Sequence, residues 1–271
     1  MRFGAALIGV AACWIAVLLT GCVAQSSVSP VSVAGNRSDI VTESDEPEQR
    51  RRARLRLELA NGYFEQGQTN VALDEIKQSL NTDPTFVEAY NLRGLVYMRL
   101  NDIALAEDSF RRALALNPKD ANVAHNYGWL LCQQARYPDS FKLFFQALAN
   151  PTYSGKAKTL MTQGVCQARA GQVADAERSL VQSYELDAGN PVTGYNLANL
   201  LYKKSEFTRA QFYIRRLNNS DLANAETLWL GIKTEQKLGN QDAVMQLSDQ
   251  LKKRFAQSPE ATAYEKGMFN E

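Results

Sequence analysis

The chain has 271 residues, of which 22% are charged, and its 30 basic side chains nearly balance its 29 acidic ones. A nearly neutral chain has no overall attraction for nucleic acid, so a nucleic-acid partner is not expected. The only histidine, His125, has no cysteine or serine motif around it, and no nucleophile elbow, phosphate loop or spaced metal-ligand cluster is present. The sequence therefore predicts no enzyme, no cofactor and no metal site.

The first 21 residues have the features of an export signal. Arg2 precedes an apolar run over residues 5–19, which is shorter than the roughly 20 residues that a permanent membrane span needs. The run ends in Leu-Thr-Gly-Cys, which resembles the bacterial lipobox and implies cleavage before Cys22 and acylation of that cysteine. Val23 follows, and among lipoproteins this resembles the default signal for transfer to the outer membrane. The alternative is a plain signal peptide followed by an incidental cysteine.

Residues 22–46 are rich in Ser and Val without helical periodicity, which predicts a flexible tether in front of a folded domain at 47–271. The charge cluster at 46–56 is interpreted as the exposed start of the first helix. Its acids stand four residues ahead of bases, as in Glu46 with Arg50 and Glu48 with Arg52. The alternative is contact with anionic headgroups through Arg50, Arg51, Arg52 and Arg54.

The best-defined repeat unit covers residues 87–118. Counted from Val87 as position 1, it carries the residues typical of the tetratricopeptide pattern: Tyr90 at position 4, Gly94 at 8, Tyr97 at 11, Ala106 at 20, Phe110 at 24, Ala113 at 27 and Pro118 at 32. The small Gly94 and Ala106 let two antiparallel helices approach, and large rings fill the space between them. Pro118 ends the second helix.

The same unit recurs along the chain. Further copies begin at Ala53, Ala121, Ala157, Pro191 and Asn224. The spacing is 34 residues between Pro84 and Pro118 but 36 between Gly128 and Gly164, and the two extra residues fall in the turn at 150–156. One hairpin cannot bury its apolar face alone, so neighbours must stack on it. The sequence predicts an all-α, right-handed superhelical solenoid of about six tetratricopeptide repeats.

Two helices per repeat give twelve predicted helices, at 48–66, 69–82, 86–100, 103–116, 120–134, 137–149, 155–169, 173–186, 191–204, 207–218, 222–237 and 240–256. A short last helix near Pro259 to Lys266 is predicted to cap the array, because its Glu260, Glu265 and Lys266 give a polar outer face.

Stacked units of this kind line their concave face with positions 2, 5, 9, 12 and 13 of each first helix. Here those positions hold apolar and aromatic residues broken by Asn amides, which suit an amphipathic helix or an extended peptide. The predicted partner-binding groove comprises Leu57, Asn61, Phe64, Asn91, Leu95, Met98, His125, Trp129, Met161, Tyr195, Asn199 and Tyr202, and the same count adds Val165, Leu228 and Ile232. His125 is predicted to be a peptide contact or a surface histidine. Ordinary packing between repeats is the alternative for each groove residue.

Two cysteines remain after the export signal and the acylation site, namely Cys132 and Cys166. They stand on adjacent first helices, and an oxidising periplasm allows a bridge. Their apolar neighbours favour two separate packed thiols, although spacing alone does not decide between the two states.

A family resemblance covers nearly the whole chain. The run from Ala124 to Cys132 with Tyr137 and the Pro-Thr-Tyr at 151–153, and the segments 196–217, 229–243 and 250–260, resemble the type IV pilus biogenesis lipoproteins, the pilotins of the pilus secretin. Departures are a longer tether and Thr227 where position 4 prefers an aromatic residue. The resemblance implies an outer-membrane lipoprotein facing the periplasm that helps secretin subunits reach that membrane and assemble into oligomers. The alternative is a general periplasmic adaptor for envelope or peptidoglycan assembly.

Overall fold

The structure is a computed structural model that describes residues 45–269. The predicted signal peptide, the predicted acylation site Cys22 and nearly all of the predicted tether lie outside these residues. Among the helices that the structure describes, none is long and apolar enough to cross a membrane.

Residues 45–269 form thirteen α-helices and no strand, and every predicted helix is confirmed to within three residues at each end. The helices are α1 (Glu48–Glu65), α2 (Thr69–Thr82), α3 (Val87–Arg99), α4 (Ile103–Leu116), α5 (Ala121–Gln133), α6 (Tyr137–Leu148), α7 (Lys156–Arg169), α8 (Val173–Leu186), α9 (Pro191–Lys203), α10 (Phe207–Asn218), α11 (Ala225–Lys237), α12 (Gln241–Arg254) and α13 (Pro259–Glu265).

Local chemistry fixes where these helices begin. The Asp120 carboxylate accepts a hydrogen bond from the Val123 amide at the start of α5, and Asp102 caps α4 in the same way. At the start of α11, Asn224 and Thr227 form a reciprocal capping box. These caps satisfy amide donors that the helices themselves leave without a partner.

The turn inside each hairpin contains one residue in the left-handed backbone region. These residues are Gly67, Asn101, Ala135, Gly171, Ser205 and Gly239. They follow one another at 34 residues except for 36 between Ala135 and Gly171, so the turns confirm both the repeat and the predicted place of the insertion. Glycine adopts this conformation without steric cost, whereas Asn101, Ala135 and Ser205 carry a Cβ there.

Close approach of the two helices in each hairpin depends on a small residue facing a large one. A Cβ added to Gly94 would lie 2.5 Å from Cε1 of Phe110, and one added to Gly128 would lie 2.9 Å from Cε1 of Phe144. Phe110, Phe144 and Ala106 are fully buried. The predicted close contact at Gly94 is therefore confirmed, and Ala106 is buried in the same core cluster as Phe110.

The hairpins stack into a solenoid whose two surfaces differ. The first helices of successive repeats contact each other along the series α1, α3, α5, α7, α9 and α11, whereas the second helices of successive repeats make no such contacts within residues 45–269. The first helices are therefore drawn together and the second helices are spread apart. This arrangement places the odd-numbered helices on the concave face.

The last helix covers the C-terminal end of the array, as predicted. α13 packs against α11 and α12, and its Ala261 is buried in their core. The rings of Tyr264 and Phe269 lie on Trp229, with centroids 6.4 Å and 5.2 Å from it.

The expectation of two separate thiols is wrong. Cys132 on α5 and Cys166 on α7 form a disulfide, with their Cα atoms 5.9 Å apart. The two helices belong to neighbouring repeats and contact each other on the concave side, which brings both side chains into the same buried cluster with Phe144. The apolar neighbours that suggested two separately packed thiols surround the buried disulfide instead.

The arginine cluster at the start of α1 is engaged in ion pairs. Arg50 forms an ion pair at 2.5 Å with Asp83, which lies in the turn between α2 and α3. Glu46 pairs with Arg54 at 3.1 Å and not with Arg50. Glu48 contacts Arg52 at 3.9 Å, as its spacing predicts. Much of the positive charge is thus balanced by neighbours, which favours the interpretation as a charged helix start over contact with headgroups.

Candidate partner-binding groove

The predicted groove residues all lie on odd-numbered helices, which form the concave face. Their exposure differs along it: Asn61 is exposed, while Leu57 is buried in the core of the first repeat. The partly exposed members are Phe64, Asn91, Leu95, Met98, Trp129, Met161, Tyr195, Asn199 and Tyr202.

Two of the predicted aromatic groove residues are partly covered by arginines of the next repeat. The Arg99 guanidinium lies 3.8 Å from the centre of the Phe64 ring and donates a hydrogen bond to the Phe64 carbonyl. The Arg169 guanidinium lies 5.1 Å from the Trp129 ring. Such cation–π contacts hold the rings in place while leaving an edge accessible to a partner.

A central cavity of about 300 Å³ lies over α3, α5 and the turn that leads into α7. The predicted groove residues Asn91, Leu95 and His125 line it together. Its walls also carry the charged Glu88, Asp120 and Lys158, with Asn122, Asn126 and Tyr153. The Asn126 amide donates to Oδ1 of Asn91 at 3.0 Å, so part of the amide capacity is already used between repeats.

The prediction of a surface histidine is wrong. His125 is only 5% exposed, and its Nδ1 lies 2.9 Å from Oγ1 of Thr159 on α7. That hydroxyl is also 3.0 Å from the Tyr153 hydroxyl, which the two-residue insertion brings over the helix pair. Burial lowers the pKa of His125 to about 4, with a smaller contribution from the charge of Lys158. His125 is therefore a neutral packing residue at neutral pH and forms part of the cavity wall.

The groove positions of the sixth repeat differ from the prediction by one residue. Leu228 and Ile232, which the sequence count places in the groove, are fully buried in the core. Gly239 lies 34 residues after Ser205, so counting from the turn places Trp229 and Lys233 on the concave side instead. Groove positions in this repeat are therefore located by counting from the left-handed turn residue and not from the first small residue of the helix.

The end of the groove is a cavity of about 370 Å³ over α9 and α11. The predicted residues Asn199 and Tyr202 line it with three lysines that the sequence analysis did not select, Lys203, Lys233 and Lys237. The ammonium group of Lys233 lies over two rings, with its Nζ 5.6 Å from the centroid of Tyr202 and 5.4 Å from that of Trp229.

A second apolar surface, also missed from the sequence, lies on the outer side of α1. Leu55 and Leu59 are half exposed there and border a shallow cavity of about 530 Å³ with Gly62 and Tyr63. These positions face the place where a preceding repeat would stack, and no described helix covers them.

The chemistry of the described residues is that of a binding surface. No group of three or more His, Cys, Asp or Glu side chains within residues 45–269 is arranged to hold a metal ion. What the concave face offers is half-buried rings, amides and lysines, which are recognition groups for a polypeptide.

This fold and surface define a tetratricopeptide-repeat protein, and residues 87–120 match the family model for the tetratricopeptide repeat. The chain is homologous to the type IV pilus assembly protein PilF of Pseudomonas aeruginosa, with 27% identity over 91% of this chain and 93% of that protein. The crystal structure of PilW, described as a widely conserved type IV pilus biogenesis factor, has 29% identity and a TM-score of 0.72, covering 78% of this chain and 97% of PilW.

The solved structure of Pseudomonas aeruginosa PilF has the same fold, with a TM-score of 0.74 at 24% identity, covering 82% of this chain and all of that one. The chain is therefore homologous to PilF and has the fold of PilF and PilW, tetratricopeptide-repeat proteins that are described as type IV pilus assembly and biogenesis factors. Proteins of this type are generally non-enzymatic adaptors that bind other proteins.

Proposed function

We propose that the chain is an outer-membrane lipoprotein, anchored through acylated Cys22 and facing the periplasm, that promotes membrane localisation and oligomer assembly of the type IV pilus secretin. The observation that supports it most is the agreement of sequence and fold with PilF and PilW over most of the chain. In this proposal the protein does no chemistry and acts by holding secretin subunits.

The lipid anchor is supported by the sequence Leu-Thr-Gly-Cys at the end of an apolar run. Mass spectrometry of protein purified from membranes is expected to show a chain that begins at Cys22 and carries added acyl mass. A chain that begins elsewhere, or an unmodified Cys22, contradicts the anchor.

The surface that engages the secretin is proposed to be the concave groove, with Phe64, Met98 and Trp129 as apolar anchors. Half-exposed rings on a preformed wall provide contact area at a small ordering cost, and binding energy usually concentrates in such residues. Because α1, α3 and α5 contact each other in series, the three side chains lie on one continuous face.

The test uses Phe64→Ala and Trp129→Ala, with Phe145→Ala as the matched control. Phe145 is an aromatic residue of α6 that is 74% exposed and lies on a second helix, outside the groove. After circular dichroism confirms the helical fold, secretin multimers are counted in outer-membrane fractions. Both groove variants are expected to lower the multimer yield several-fold, whereas the control keeps it.

Wild-type multimer levels in both groove variants would contradict the proposal that the groove binds the secretin. The protein could then still promote assembly through another surface. Leu59→Ser on the outer side of α1 then identifies the alternative surface, because it removes an exposed apolar contact without touching the groove. A pull-down with lipidated protein that yields peptidoglycan enzymes instead of secretin would favour the general envelope adaptor.

A further inference from the structure

Positive charge is concentrated in the C-terminal half of the concave face. A cavity of about 400 Å³, lined by residues of α7, α8 and α9, adjoins the cavity over α9 and α11, and the two share Asn199 and Lys203. Their walls hold five basic side chains and no described acidic one. The basic residues are Arg169, Lys203, Lys204, Lys233 and Lys237. The cavity around His125, by contrast, carries two acids beside one lysine.

This charge is only partly balanced by the protein. Lys204 is held by Glu177 and Glu206, whereas Lys203 and Lys237 form no ion pair with any residue the structure describes. Burial, together with the nearby charge of Lys203, lowers the pKa of Lys233. An anionic group placed beside Lys203 and Lys237 would balance the charge of these two ammonium groups.

The same cavity has apolar walls and an amide. The Tyr202 and Phe207 rings lie 5.4 Å apart on one side, and Phe269 lines the other. The Asn199 amide makes no hydrogen bond within residues 45–269, so it is available to a peptide backbone. A concave site of this size admits side chains one at a time, whereas a flat bilayer surface does not fit into it.

We propose that the groove over α9 and α11 binds an acidic segment of a partner protein, one that carries a carboxylate next to an aromatic or large apolar side chain. Lys203 and Lys237 bind the carboxylate, and the rings of Tyr202, Phe207 and Phe269 contact the apolar side chain. The inference rests on the proposed function, because it names the chemistry of the segment that the concave face holds.

The test measures binding of fluorescein-labelled hexapeptides to the purified protein by fluorescence anisotropy. The probe alternates Glu with Phe, and the comparison peptides alternate Lys with Phe and Glu with Ser. The variant K203Q/K237Q removes two exposed charges from the groove. The control K77Q/K119Q removes two exposed charges outside it and has the same net charge.

The Glu-Phe peptide is expected to bind, with affinity that falls as salt is raised, and K203Q/K237Q is expected to weaken it at least tenfold while K77Q/K119Q leaves it within twofold. Equal weakening by both double variants, or equal binding of the Lys-Phe peptide, would overturn the proposal. Binding of anionic lipid vesicles that requires the same lysines, without binding of the peptide, would also overturn it. Because these readouts use no secretin, their failure leaves the assembly experiment to be judged separately.

Discussion

At the scale of single residues, His125 makes stability depend on pH. Its pKa is about 4 in the folded protein and 6.5 ordinarily, so the unfolded chain binds the proton first and acid favours unfolding. The contribution is fully present above pH 6.5 and is lost as pH falls toward 4. Between pH 7.5 and 5 the free energy of unfolding is expected to fall by about 2 kcal/mol.

Urea unfolding at several pH values checks this, with His125→Gln as the variant that cannot titrate. The variant is less stable at neutral pH but is expected to show a flat profile between pH 7.5 and 5. Carboxylates with a lowered pKa, such as Glu235, lose their contribution only below their ordinary value of 4.5, so they do not interfere in this window. A flat profile in the unaltered protein would contradict the burial of His125.

The small residue at position 8 is the second feature at this scale. Gly94→Ala places a methyl group 2.5 Å from the Phe110 ring, which is fully buried. The expected loss is about 1–3 kcal/mol of unfolding free energy, and Ala106→Leu is expected to overpack the same hairpin. Thermal unfolding followed by circular dichroism measures both.

Gly62 provides the matched control on α1. A Cβ built there has no heavy atom within 4 Å, so only the helix propensity changes. Gly62→Ala is therefore expected to raise stability by roughly 0.5–1 kcal/mol. If Gly94→Ala and Gly62→Ala shift the midpoint in the same direction, close helix approach is not what selects glycine at position 94.

At the scale of elements, the turn between α5 and α6 retains backbone strain. Ala135 has a φ of 56°, which costs an alanine roughly 1–2 kcal/mol relative to a helical conformation. Ala135→Gly is expected to raise the unfolding free energy by about 1 kcal/mol, and Gly67→Ala in the equivalent turn of the first repeat is expected to lower it by a similar amount. Urea midpoints of the two variants should therefore move in opposite directions.

The disulfide is the element-level feature with the largest predicted effect. It closes 34 residues of chain and joins α5 to α7, which removes conformational entropy from the unfolded state. Reduction is expected to cost about 3–4 kcal/mol by the loop-entropy estimate. Thermal midpoints with and without reductant measure it, and a double Cys→Ala variant at positions 132 and 166 should be insensitive to reductant.

The helices and their hairpins were predictable because each depends on residues close in sequence. Gly94 and Phe110 stand at fixed positions of a local pattern, and Pro118 ends its helix wherever that helix lies. The disulfide and the burial of His125 depend instead on how one hairpin packs against the next. His125 bonds to Thr159 on α7, and the turn before α7 places the Tyr153 hydroxyl on Thr159, so these contacts depend on the position of the inserted residues and not on the periodic pattern.

At the scale of the whole molecule, each repeat contacts only its neighbours, so stability is approximately the sum of repeat and interface terms. Within residues 45–269, no helix packs on the outer side of α1, where Leu55 and Leu59 are half exposed. The last repeat is covered by α13. The disulfide joins the third repeat to the fourth. Stability should therefore be greatest in the middle of the array and least at α1.

Native-state hydrogen exchange with mass spectrometry tests this gradient. Amides of α5 to α8 are expected to exchange slowest, those of α12 and α13 faster, and those of α1 fastest, because local opening needs fewer interfaces to break toward the ends. Reduction of Cys132–Cys166 should accelerate exchange in α5 to α8 far more than in α1, since only the central interface loses its cross-link. Uniform protection along the array, or a uniform response to reductant, would mean that the solenoid unfolds as one cooperative unit and that nearest-neighbour stacking does not describe it.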